Sequence, residues 1–446
     1  MAVDFSLLPT VEPRQDTAPS RIVWSVTFVV MYLAGVLGVL FFWPKGMPTH
    51  TWQFWTSLVL FPAGIPGWLV LRRYSAYEGR KLNAILDDEA AQRYNARVFE
   101  AASIPLALLG SAHRFSADRT INTPGSIRTG KVVLKTQDPI ASNGEPVKAR
   151  WLIVPGMRTT SGSNEDERHR RRHVTTWLFD ELLDELLLPI RTLPARLDLS
   201  VQLCIANGLT HQENEALWQA CWHARSLRKM TLAPMAEPPA DLITLDRWMD
   251  QIPGQVNVHA TLMIAVQLHP LLAGTPPSGH SEAGVALLLV PDILVRQHRI
   301  PHRTTLHRPV RGSLAQPGEA LAHALQWADV TARHIATGWQ TSLKANKTIS
   351  LYEPSGKLGQ GLDLTALDQT VGYAGIAAPW LAVACAAASR HADSAAQIIL
   401  AGQHSHVDCA VVKHAPEALI ADGLPDGLRP ACSSATSPGP IKPSNL

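Results

Sequence analysis

The residues with the most chemical promise in this chain are few, and their spacing tests each of them. Gly279-His280-Ser281-Glu282-Ala283-Gly284 has the look of a strained serine turn, but G-x-S-x-G needs a glycine two residues after the serine, and here it comes three later. His169 and His173, like His298 and His302, stand four apart and would share one face of a helix, without an internal Glu or an evident third ligand. His404, His406 and Asp408 would point to the same side of a strand and form the best metal candidate. The favoured reading of all these histidines is nonetheless solvated surface, and it assigns no catalytic residue, no metal and no cofactor.

A second group is suited to binding. Arg168, Arg170, Arg171 and Arg172 lie within one short run and offer planar, bidentate donors to phosphate, lipid headgroups or an acidic partner. At a helix start such cations oppose the macrodipole, so a solvated face is the competing reading. Thirteen tryptophans stand against six tyrosines and nine phenylalanines, and tryptophan is enriched at binding hot spots. Trp218, Trp222 and Trp248 lie in polar local sequence and are candidate partner contacts, with core packing as the alternative.

The elements that must position these residues begin at a membrane. Two apolar runs without Asp, Glu, Lys or Arg, residues 22–43 and 51–71, flank a seven-residue turn. At about 1.5 Å per residue, roughly 20 residues cross a hydrocarbon core of about 30 Å, so a transmembrane helical hairpin is expected. Arg14 and Arg21 precede it and Arg72, Arg73, Arg80 and Lys81 follow it, against a lone Lys45 in the turn. The positive-inside rule then makes residues 1–21 a cytoplasmic tail and places the body after Tyr74 in the cytoplasm, at the inner membrane. Pro62 and Pro66 would kink the second run or make it re-entrant.

The remainder has the composition of a folded body, 46% hydrophobic and 17% charged, and a net charge of +3 gives no argument for nucleic acid. Cys204, Cys221, Cys385, Cys409 and Cys432 form no CxxC and fit a reducing compartment. A charged helix leaves the membrane over Tyr74 to Arg97. Strands are predicted at Ile104–Leu109, Val132–Lys135, Trp151–Val154, Leu199–Ala206, Val256–Leu268, Ile398–Leu400 and Val407–Val412. Helices are predicted from Val174 to Leu186, Gln212 to Arg228 and Gly318 to Ala345, with Arg158 to Glu167 as a loop. The apolar run Gly284–Val290 fits a helix or a strand, and the Ala-rich run Ala374–Ser389 fits a buried helix. The alternation gives an α/β or α+β body in two domains, 74–310 and 318–424, divided at the basic, Pro-containing stretch Arg299–Pro317. A Pro/Ser-rich tail, 425–446, is expected to be disordered.

Two resemblances add to this reading. Leu381-Ala382-Val383-Ala384-Cys385-Ala386-Ala387-Ala388-Ser389, followed by Ala395 to Gly402, is similar to the nucleophile helix and next strand of thiolase-like condensing enzymes. There the cysteine starts a helix whose N-terminus lowers its pKa. That resemblance implies a thiolase-like fold and, as the alternative function, an acyl-transfer or hydrolytic enzyme using Cys385. Across the whole chain, the hairpin, the exit sequence Arg72-Arg73-Tyr74, the strand Val256–Leu268 and the segment Ser281 to Leu289 together resemble the type VI lipase adapter family. That resemblance implies a non-enzymatic adapter with an N-terminal and a C-terminal domain. Its implied partners are a lipase-class toxin and the VgrG spike of a type VI secretion system. A membrane scaffold without a toxin partner is a further alternative.

Overall fold

The computed structural model describes residues 7–9, 18–141, 145–157, 160–234, 240–251, 259–315, 317–343, 362–389 and 396–415. The expected tail 425–446, Cys432 and most of the segment 1–21 lie outside them. The chain divides into two units, Val3–Glu100 and a larger one from Ala101 onward.

The first unit is two helices, α1 (Arg21–Phe42) and α2 (Trp52–Ala102), both long and apolar enough to cross a membrane. Pro62 and Pro66 sit inside an unbroken α2, so the re-entrant reading does not hold. The two helices pack closely: a Cβ added at Gly35 would lie 2.9 Å from Pro62, and Trp43 meets Phe54 edge to face. The charged helix expected after Tyr74 is the continuation of α2.

The second unit is built on one mixed sheet of eleven strands, in which the same arrangement occurs twice. In the first half β1 (Leu106–Arg114), β4 (Leu199–Ala206), β5 (Thr231–Leu232), β6 (Ala260–Gln267) and β7 (Ala283–Pro291) stand in the order β5-β4-β6-β7-β1. In the second half β8 (Thr304–Leu306) and β9 (Val310–Ser313) share the place of β1. The others there are β10 (Ile335–Thr341), β11 (Asp363–Ala366), β12 (Ala396–Gln403) and β13 (His406–His414), in the order β11-β10-β12-β13-β8. In each half the first three strands of that order run parallel and the fourth is antiparallel to its neighbours. An antiparallel pairing of β1 with β8 joins the halves. A separate two-stranded ribbon pairs β2 (Thr136–Gln137) with β3 (Val147–Lys148).

The ambiguous run at Gly284–Val290 is strand β7, and its continuous apolarity follows from being covered on both faces. Val285, Leu287 and Leu289 enter one core; Ala286, Leu288 and Val290 enter the other. The second of these cores holds α4 (Asn164–Thr192) and α5 (His211–Ala224). The first is filled by α6 (Thr244–Gln251) and by the Ala-rich helix, here α9 (Ala378–Ala388). α9 packs on β10, β12 and β13 of one half and on β7 and β1 of the other, and its alanines allow that close approach on several sides. Trp380 is fully buried in it, its indole N–H donating to Ala240 O at 3.2 Å.

Several expectations change. The stretch Arg299–Pro317 is no linker: it carries α7 (Asp292–His298) into β8 and β9, both of which pair with β13. Arg308 and Arg311 of this stretch turn onto carboxylates while Arg299 and Arg303 are exposed, which composition along the chain does not reveal. Arg308 is buried on Asp246 and Asp250, both at 2.5 Å, and Arg311 grips Asp408 and Asp241 at 2.6 to 2.8 Å. The boundary between 310 and 318 therefore falls inside one unit. The helix expected from Gly318 to Ala345 is α8 (Pro317–Trp327) and then strand β10, the helix ending before Asp329, which adopts a left-handed φ of 49°. Val132–Lys135 and Trp151–Val154 belong to no sheet strand, and of the loop expected over Arg158 to Glu167, whose first two residues lie outside the described ones, the last part is the start of α4 at Asn164.

Trp218 and Trp222 are the clearest correction. Both are almost fully buried, their rings tilted at 37° to one another with centroids 5.7 Å apart, and Phe179 meets Trp218 edge to face. Their polar neighbours in sequence lie on the outer face of α5, a consequence of the 3.6-residue period. Trp248 is half buried beside the α6–α9 core. Replacing Trp218 with Ala should lower the unfolding free energy of the body by about 3–5 kcal/mol, and Trp248→Ala should cost clearly less; denaturant titration of the full chain separates the two.

Candidate functional site

The arginine run belongs to the second turn of α4, and the helix opens on acid instead. Ser163 caps it, its hydroxyl accepting from Asp166 N while Asp166 accepts from Ser163 N, and Glu165, Asp166 and Glu167 occupy the first turn. Carboxylates there complement the macrodipole, which removes the objection to cations one turn later. Successive residues rotate by about 100°, so the four arginines diverge. Arg168 and Arg172 face outward and share Glu213 of α5, at 2.8 and 3.8 Å. Glu213 is held down to about 2, first by the Thr210 backbone N–H and then by Arg168. Arg171 turns back to Glu167 at 3.1 Å.

Arg170 alone points inward and is buried. Its Nη2 donates to both carboxylate oxygens of Glu282, at 2.6 and 2.5 Å, and Glu282 is itself fully buried. The remaining capacity of that carboxylate is taken by the backbone N–H of Leu152 at 2.9 Å and of His269 at 3.0 Å. Arg170 Nη1 reaches His269 O and Glu167 at 3.1 and 3.2 Å. Glu167 accepts from Leu271 N and Leu272 N as well. Burial pushes the Glu167 carboxyl up, yet those backbone donors and the Arg170 and Arg171 guanidiniums outweigh it and hold it below the usual carboxylate range.

The segment that carries Glu282 is the Gly279–Gly284 motif, and it is a seam. On one side Arg150 N donates to His280 O and Glu282 N donates to Arg150 O, both at 3.0 Å. On the other, Tyr373 N donates to Gly279 O at 2.8 Å and Ser281 N to Tyr373 O at 2.9 Å. The Ser281 hydroxyl donates to Gly372 O at 3.0 Å and is fully buried, so it is a structural donor and no nucleophile. Gly372 has φ 106°, and a Cβ there would meet Ser281 Cβ at 2.9 Å. The seam thus ties the first half of the unit to the loop that feeds α9. Beside it His280 meets His269 and Tyr373 nearly edge to face, centroids 5.4 and 5.2 Å apart. Burial, then the neighbouring His280, lowers His269 to about 4, and its buried Nε2 has no partner. Asp368, nearby in charge, is raised by burial while accepting from Thr341 Oγ1 at 2.7 Å.

The other sequence candidates separate. His404 lies in a turn at φ 48°, His406 is exposed and Asp408 is buried against Arg311, so the proposed trio does not converge. His169 pairs with Glu165 at 3.7 Å, His173 contacts Pro155 O and His302 faces Asp292 at 3.6 Å. Among the described residues no group of three or more His, Cys, Asp or Glu is placed to hold a metal ion. Cys204, Cys221, Cys385 and Cys409 are free and buried. Burial raises every one of these thiols, Cys221 to about 12 and Cys385 and Cys409 further. Cys385 sits towards the C-terminal end of α9 rather than at its start, so the condensing-enzyme geometry fails at that residue. Sequence reasoning missed Glu167 and Glu282. The available signal was a carboxylate abutting a nine-residue apolar strand.

No protein-family model and no curated protein matches the chain. Solved structures similar to it include ketosynthases and a thiolase. They include an oxazolomycin ketosynthase domain from Streptomyces albus (14% identity, 70% of this chain, 95% of that one, TM-score 0.43) and the ishigamide ketosynthase/chain length factor (15%, 70%, 100%, 0.44). The peroxisomal 3-ketoacyl-CoA thiolase of Saccharomyces cerevisiae is also among them (8%, 70%, 99%, 0.42), described as a five-layered structure of two core domains of identical topology. Likeness of this degree carries nothing about catalysis, and the two-half architecture rests on the strand pairings of this chain.

Breaking the seam from one side should be costly. Arg170→Met or Glu282→Gln is expected to destabilise by about 3–5 kcal/mol in denaturant titration, because each strands a buried charge. Arg170→Met combined with Glu282→Leu should recover much of that loss, whereas Arg168→Gln should cost less than about 1 kcal/mol. Acid should act on buried imidazoles. His113 and His307 are both lowered to about 4, first by burial. The unfolded chain takes up protons below about pH 6.5 while the folded chain resists until about pH 4, so stability is complete above 6.5 and falls through that window. Each should contribute about 2 kcal/mol of loss by pH 5, read as the shift of the urea midpoint between pH 7 and pH 5.

Proposed function

We propose that this protein is a membrane-anchored, non-enzymatic adapter that binds a lipase-class toxin and helps load it onto the VgrG spike of a type VI secretion system. The observation that carries this reading is the division of labour among charges. Buried Arg170, Glu282, Glu167, Arg308 and Asp408 are engaged in internal pairing, while Arg168 and Arg172, which share the single carboxylate of Glu213, remain about half exposed on the rim of α4. Exposed planar guanidiniums suit an acidic partner surface and steer its approach. The hairpin of α1 and α2, with Arg72, Arg73, Arg80 and Lys81 after it, supports an inner-membrane anchor with the body on the cytoplasmic side, where effectors are loaded.

The runner-up, acyl transfer or hydrolysis through Cys385, requires a thiolate. A fully buried thiol raised by desolvation, late in its helix, opposes one.

Full-length tagged protein recovered from membranes of its own host should carry a lipase-class effector and a VgrG-type spike. Arg168→Glu combined with Arg172→Glu should cut effector recovery at least tenfold without lowering the amount of folded protein. Recovery of neither partner, or labelling of Cys385 by an activity-based thiol probe with loss of function in Cys385→Ala, would overturn the adapter reading.

A further inference from the structure

A cavity of about 700 Å³ opens at the N-terminal ends of β4 and β5, away from the seam. Its base is apolar: Ile190, Leu193 and Leu199 are buried beneath it, and Leu227 and Met230 are half buried along its wall. Its charged lining is Arg191, Arg228, Lys229 and Asp198, with His259 beside them, so cations exceed anions by three to one. Arg228 is already committed. It donates to the carbonyls of Leu193, Pro194, Ala195 and Leu197 and thereby shapes the loop that walls the cavity. Lys229 is exposed and has no ion pair among the described residues, and Arg191 makes one long bond there, 3.3 Å, to Arg225 O. Ser226 at the mouth holds a left-handed φ of 50°, a conformation unfavourable for a residue with a Cβ, which sets the turn that presents Leu227 to Lys229.

A cavity of this size lies within the range of small-molecule sites, which combine apolar walls with a few placed polar groups. We propose that it binds a small anionic amphiphile, a carboxylate or phosphate head held by Arg191 and Lys229 with a hydrocarbon body on Leu227 and Met230. A fatty acid and a phosphorylated lipid fragment share this chemistry. The ammonium of Lys229 and the fork of Arg191 take either oxyanion, and the apolar base excludes the strongly hydrated inorganic ion. The site stands independently of the adapter reading.

The test uses the full chain in zwitterionic lipid nanodiscs, with empty nanodiscs subtracted, and isothermal titration with octanoate, octyl phosphate, octanol and inorganic phosphate. Saturable binding of octanoate or octyl phosphate at least tenfold tighter than octanol and inorganic phosphate is expected, and the stronger of the two acids identifies the source. Arg191→Gln combined with Lys229→Gln, both exposed positions, should weaken it tenfold or more, and Leu227→Ser should weaken the octyl compounds by a smaller factor. Equal binding of octanol, equal binding of inorganic phosphate, or undiminished affinity in the double variant would each overturn the proposal. So would an acidic hexapeptide that competes octanoate out at equal concentration.

Discussion

A buried guanidinium and a buried carboxylate can coexist only in one place, and the body of this protein is arranged to give them that place. Arg170 and Glu282 lie more than a hundred residues apart, on a helix covering one face of the sheet and at the entry of a central strand. Moving both out of water costs several kcal/mol per ion, and their attraction offsets this only when every remaining lone pair and proton is placed. Here most of the placement comes from backbone, Leu152 N and His269 N on Glu282 and Leu271 N and Leu272 N on Glu167, and Arg170 Nε is left buried without a partner. The pair therefore constrains four separate segments at once. A one-residue slip of β7 would turn Glu282 to the other face and leave Arg170 stranded.

That requirement explains the seam. Because Glu282 must sit at the start of β7, the three residues before it cross between Arg150 and Tyr373 and bond to both. The first half of the sheet is thereby stitched to the loop entering α9, the helix on which the inner faces of both halves pack. A motif that imitates a catalytic serine turn is thus a hinge of hydrogen bonds. Arg308 and Arg311 repeat the logic in the second half, anchoring β8 and β9 to α6 and β13 through Asp246, Asp241 and Asp408.

What could be read along the chain was whatever local spacing controls. Leu199–Ala206 was placed to the residue, and α1, α5, α9 and β13 to within a few residues, because each has a period or an uninterrupted apolar run of its own; α2 instead runs past the expected end of its span at Leu71 to Ala102. The failures share a cause. Arg299–Pro317 reads as a linker since His, Arg and Pro dominate it, yet its Arg308 and Arg311 are paired with carboxylates about sixty to a hundred residues away. Trp218 and Trp222 have polar neighbours that belong to the opposite face of α5. Of the four arginines, spacing along a helix predicts that they diverge, but which one turns inward depends on where Glu282 lies, a tertiary fact.

The same distinction bears on function. A catalytic carboxylate or thiol needs a displaced pKa and a path to substrate; displacement alone is common in structural networks. Cys385, His113 and His307 are displaced by burial, and each is enclosed by packed side chains or backbone, which makes the displacement a consequence of packing. Arg168 and Arg172 on one side and Arg191 and Lys229 on another are exposed cations. Charge of that kind selects and holds anions.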